Sequence, residues 1–129
     1  MNTAYATCSP PQLQLHHNNN FTAIVDTGAS HHYCHGRAPT TTFTSNAPPT
    51  MVNIANGKRI QSIGQAKLLL PDLPPGTEDC HIMSTFTNNL LSMGQFCNAG
   101  CTVIFTGTNV KVINKTGTVI LQGFREQAC

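Results

Sequence analysis

Hydrophobic and polar positions alternate along much of this 129-residue chain, in short stretches rather than long ones. Phe21 to Val25 is a short, largely apolar run that stops at Asp26-Thr27-Gly28. Met51-Val-Asn-Ile-Ala55 alternates, Asn56-Gly57 follows, and Lys58 to Ile63 takes up the alternation again. An Asn-Gly pair between two alternating arms is a hairpin signal, because both central residues of that turn need positive φ. Gln65 to Leu70 extends the second arm, and Pro71 to Gly76 is a turn or loop. Glu78 to Met83 and Cys101 to Thr106 read as strands. Asn109 to Ile113 and Thr118 to Leu121 flank Asn-Lys-Thr-Gly as a second hairpin. Leu90 to Asn98 is predicted as the one helix, with Leu90, Leu91, Met93 and Phe96 on one side and Gly100 closing it. About eight short strands and one helix make a small all-β barrel or sandwich.

The ends and loops carry a different pattern. Residues 1–20 contain Pro10-Pro11 and finish in a His-Asn run, which reads as a flexible tail ahead of one domain over residues 21–129. Residues 36–50 are rich in Pro and Thr and read as loop, with one short strand near Phe43.

Composition sharpens the β assignment. The polar bulk is Thr and Asn, and only 9% of residues are charged, against about 25% in ordinary soluble domains. The helix-surface residues Lys and Glu are scarce. A net charge of +2 offers no basic stripe for direct nucleic-acid binding. No apolar run reaches the roughly 20 residues of a membrane span. Residues 1–20 lack a basic region followed by an apolar stretch, so an intracellular setting is expected, with the six cysteines mostly reduced.

The carboxylates are five: Asp26, Asp72, Glu78, Asp79 and Glu126. Asp26 stands apart, at the end of an apolar strand and before Thr27, Gly28, Ala29 and Ser30. Small residues after it let another backbone approach closely. Burial raises a carboxyl pKa and hydrogen-bond donors lower it, so such a position suits general acid–base work. His31-His32-Tyr33-Cys34-His35 is dense in soft ligands, but adjacent histidines point apart and no second cluster stands at zinc spacing, so it is read as a polar segment after the loop and no metal is expected. Cys97 and Cys101 straddle the helix end and are read as thiols.

The order of these blocks resembles a known family. Val25-Asp-Thr-Gly-Ala-Ser-His-His-Tyr-Cys34, Val52-Asn-Ile-Ala-Asn-Gly57, Ile63-Gly64 and Asn89-Leu-Leu-Ser-Met-Gly-Gln-Phe-Cys-Asn-Ala-Gly-Cys101 are similar to the aspartic protease domain of copia-type LTR retrotransposon polyproteins, itself similar to retroviral proteases. The resemblance runs from about Phe21 to Arg125. It implies a small closed barrel of the retroviral protease type. It also implies a homodimer in which each subunit supplies one catalytic aspartate, here Asp26, with no cofactor. Thr27 would tie the two loops together, and Gly28, Ala29 and Ser30 would support the loop or meet substrate. Ile54, Ala55, Asn56 and Gly57 would form the flap that closes on a peptide. Asn89 to Gln95 would brace the catalytic loop. The implied substrate is a Gag-Pol polyprotein, met in the cytoplasm or in virus-like particles. The alternative from another class is a catalytically silent, retrotransposon-derived β-barrel that serves as an interaction module.

Overall fold

The computed structural model describes residues 21–42, 44, 48–53 and 57–124, and the backbone of residues 12–15. Among the described residues eleven strands and one helix follow in chain order: β1 (Gln12–Leu15), β2 (Thr22–Asp26), β3 (His32–Cys34), β4 (Met51–Asn53), β5 (Arg59–Gln61), β6 (Gly64–Lys67), β7 (Asp79–Ile82), β8 (Asn89–Ser92), α1 (Met93–Asn98), β9 (Thr102–Phe105), β10 (Asn109–Ile113) and β11 (Val119–Phe124). The fold is mostly β, as the alternation predicts.

Nine strands form one sheet in the order β6-β7-β3-β8-β2-β1-β11-β10-β9, and β4 pairs with β5 in a separate hairpin. Most neighbours are antiparallel, but β2 runs parallel to β8 and β3 parallel to β7. The period-2 rule is plainest from Gln61 to Leu70. Ser62, Gly64, Ala66, Leu68 and Leu70 turn inward and the residues between them face out. The core gathers Leu91, Ile82, Phe96, Val110, Val112 and Leu121, all at 0–1% exposure. At roughly 1.5–3 kcal/mol for each fully buried aliphatic or aromatic side chain, this cluster is the main favourable term holding the sheet.

Several expectations need correction. The closed barrel is not formed: among the described residues β6 and β9 end the strand order and do not meet. The outer edge of β6 is taken instead by Pro39, Thr41 and Thr44. Thr41 and Thr44 donate backbone N–H bonds to Lys67 O and Gln65 O at 2.9 Å each, and Leu69 donates to Pro39 O at 2.7 Å. A strand edge already hydrogen-bonded cannot close a barrel with another strand. Phe43, placed near a short strand by the sequence, lies outside the described residues, though Thr44 bridges Gln65 beside it.

Gln12–Leu15, expected within a tail, is a strand between β2 and β11. Its Gln-Leu-Gln-Leu alternation is a strand pattern, and antiparallel partners on both sides satisfy its backbone. His32–Cys34, expected as a post-loop segment, is the buried strand β3. The predicted helix is shorter. Asn89–Ser92 is strand β8, and α1 starts at Met93 because Ser92 keeps extended backbone angles and its hydroxyl accepts the Gln95 N–H at 3.0 Å.

Both predicted hairpins form. β4 and β5 pair from Met51↔Gln61 to Asn53↔Arg59, and Gly57 has φ of 83°. The tip residues Ile54, Ala55 and Asn56 lie outside the described residues. In the β10–β11 hairpin, Gly117 has φ of 90° and Asn114 Oδ1 accepts the N–H groups of Thr116 and Thr118.

Candidate active site

The site begins where β2 ends. Its parallel neighbour β8 sets Asp26 opposite Ser92. Asp26 is half-buried, and the Gly28 N–H donates to its Oδ1 at 3.0 Å. That bond closes a tight turn and aims a backbone donor at one carboxylate oxygen. Thr27 and Gly28 are exposed, whereas Ala29 is half-buried.

One side chain, Ser92, bonds to this loop directly, and His32, Gln95 and Asn89 tie down the segments around it. Ser92 Oγ donates to Ala29 O at 2.6 Å while accepting the Gln95 N–H, one of the free donors in the first turn of α1. Ser92 N–H donates to His32 Nδ1 at 2.8 Å. An acceptor at Nδ1 leaves the ring proton on Nε2, which donates to Thr77 O at 2.8 Å. Gln95 accepts the His32 N–H through Oε1 at 3.2 Å and donates through Nε2 to Gly76 O and Asp79 O at 3.0 Å each. Asn89 donates to Thr22 O at 3.0 Å and accepts the His35 N–H at 3.1 Å, tying the start of β2 to the end of β3. Asn89, Ser92 and Gln95 recur every third residue across the strand-to-helix junction, and each spends its polar atoms on the backbone of another segment.

A cleft of about 600 Å³ opens beside Asp26. Its floor is Asp26, Gly28, Ala29, Ser30, Tyr33 and Leu90, and across it stand Met51, Val52 and Asn53 of the β4–β5 hairpin. The structure therefore brings together Asp26, Gly28, Ala29 and Ser30 of the predicted site residues. Thr27 is exposed and does not line the cleft, and Gly57 lies at the far end of the hairpin. Asp26 is the one carboxylate in the lining.

Electrostatics separate the histidines. Burial holds the His32 imidazole far below its ordinary range, to about 4; the Thr77 carbonyl and Asp79 pull it up, and His31 pushes it further down. His81 is lowered chiefly by burial, with His31 adding to the effect. Its ring stacks on Tyr33 at 5.7 Å, and its Nδ1 finds no protein partner among the described residues. Both nitrogens of His32 are already used, and His35 Nδ1 accepts the Arg37 N–H at 3.1 Å. Among the described residues no three His, Cys, Asp or Glu side chains converge on a metal position. Cys34 and Cys80 are buried thiols in mutual contact. A hydrogen bond with Cys80 raises the Cys34 thiol, and the same bond lowers Cys80. Cys97 and Cys101 are free thiols.

The sequence points to the Asp26 loop through its strand–Asp–Gly pattern. It does not point to His32, because the two groups that bond its ring lie 45 and 60 positions away. Compared with known proteins, the chain matches no family model and no curated protein.

Proposed function

We propose that this protein is an aspartic endopeptidase of the copia retrotransposon type, working as a homodimer on a Gag-Pol polyprotein. The observation that carries the reading is the carboxylate of Asp26 in a braced Asp-Thr-Gly turn, on the floor of a cleft overhung by a β-hairpin. A peptide lying in that cleft passes between the Asp26 loop and Met51–Asn53.

One carboxylate is not enough for the chemistry, so a second copy supplies the other. Two aspartates a few ångströms apart cannot both ionise easily and share a proton. The ionised member takes a proton from a water as its oxygen attacks the scissile carbonyl. The protonated member gives its proton to the carbonyl oxygen. Collapse of the tetrahedral species with a proton passed to the amide nitrogen releases two peptides. The apparent pKa values belong to the pair. Thr27 is exposed, and in this reading it ties the two loops together. The same reading places the protein in the cytoplasm or in virus-like particles, with no cofactor.

Asp26→Asn keeps the shape of the side chain and removes its basicity. It is expected to lower cleavage of a polyprotein fragment by at least about a hundredfold while leaving the thermal transition in place. Undiminished cleavage overturns the proposal. Inhibition of the wild type by a pepstatin-type compound supports it. A strict monomer at high concentration in gel filtration favours the silent β module.

A further inference from the structure

Resting on the aspartic protease reading, the geometry points to His32 as a positioning residue whose neutral imidazole holds the catalytic loop, so that charging it sets the acid limit of the reaction. The ring is wholly buried and both its nitrogens are committed. Nδ1 must accept, because Ser92 N–H donates to it; Nε2 must donate, because Thr77 offers a carbonyl. A proton added to Nδ1 sets two donors face to face. Ser92 N–H must then withdraw, and its hydroxyl is the group that holds Ala29 O at 2.6 Å. The disturbance passes through one residue to the turn that carries Asp26.

The surroundings give the imidazolium little help. Phe96 of α1 covers the ring at 5.1 Å with no charge to offer. Ser92 of β8 and Thr77 of the 74–77 turn are neutral. On β7 the register partner Cys80 is a buried thiol. Asp79 favours the charged ring, but its carboxylate is drawn to Lys67 Nζ at 2.7 Å, which also sits 3.7 Å from Glu78. His31, one residue before, opposes it. Burial outweighs the attraction, and the ring stays neutral down to about pH 4, against 6.5 in an unfolded chain. The unfolded chain therefore takes up the proton first. The contribution of His32 to stability is whole above pH 6.5 and is drawn down as the pH falls towards 4.

Two measurements test this. The first needs no catalysis: ring and amide ¹⁵N spectra of the Asp26→Asn protein across acid pH. The expected result is an unprotonated Nδ1 at neutral pH, a ring midpoint well below 6.5, and amides of Ser92, Ala29 and Ser30 that shift with that same midpoint. A ring that titrates near 6.5, or one that charges while those amides stay still, overturns the inference. The second compares pH–rate profiles. His32→Asn keeps an acceptor near the Nδ1 place and cannot charge. Its kcat is expected to hold to about one pH unit lower than wild type, with KM within about threefold. His32→Phe keeps the ring but neither bond, and kcat is expected to fall about tenfold or more at every pH. Acid limbs that coincide in wild type and His32→Asn overturn the acid-limit role. A wild type that cleaves nothing overturns the protease reading and the acid limit together, while the ring titration still decides the positioning contact.

Discussion

The two walls of the cleft are built in opposite ways. The floor is the junction of β2, β3, β8 and the start of α1, where Leu91, Cys34, His32 and Ser92 are all at 0% exposure. Its loop is tied to the body by side chains that reach the backbone of other segments. The roof is the β4–β5 hairpin, three residues in each strand, with only the middle residue of each half-buried. At its base Thr50 N–H donates to Ser62 Oγ and Ser62 N–H to Thr50 O, at 2.9 Å each, which join its own two arms; the next residue, Ile63, ties the chain to β7 by donating to Ile82 O at 2.8 Å. A two-stranded hairpin alone is marginally stable in water, and low contact density marks segments that open locally. The contrast suits a site whose reactive group must be held still while the covering element lets an extended chain in and out.

Variants can strain this contrast. Leu91→Ala hollows the floor and is expected to cost about 2–5 kcal/mol, read as a lower midpoint in urea. A cost below about 1 kcal/mol would mean that the floor is not the packed half. Ser92→Ala removes at once the cap of α1 and the bond to Ala29 O. About 1–3 kcal/mol of stability should go, with kcat falling more than KM rises, because the loop rather than the roof is disturbed. Equal changes in both constants would argue against that division. The smallest effect belongs to the roof. Gly57 has φ of 83° and open space where a Cβ would sit. Gly57→Ala should cost about 1 kcal/mol through backbone strain alone, confined to the hairpin, and appear mainly in KM. A global loss of stability from this change would show the hairpin to be coupled to the core.

Sequence pattern told the two walls apart unevenly. The hairpin and β6 were legible because one face is wet, so polar and apolar residues alternate. β3 was not, since all three of its residues are buried and two of them, His32 and Tyr33, carry polar groups. A strand buried on both faces has no alternation to read. The Leu90-Leu91 pair, read as the start of the helix, belongs to β8, because a short apolar run fits strand or helix alike and the cap at Ser92 decides it. In the site, Asp26 was visible as a local pattern. His32 was hidden because its meaning lies in partners that only the tertiary fold brings near. The bracing role of Asn89 to Gln95 entered through the family resemblance, and its hydrogen bonds became visible only in three dimensions.

The bond from Ser92 to the Ala29 carbonyl joins groups 63 positions apart in the chain. Synthesis therefore delivers Asp26 long before the residues that fix its loop. Until β8 and the first turn of α1 emerge and dock, the aspartate sits on an unbraced strand end, and loop closure over that distance must precede any organised site. On the proposed protease reading, the order in which the residues arrive keeps a growing chain from premature hydrolysis.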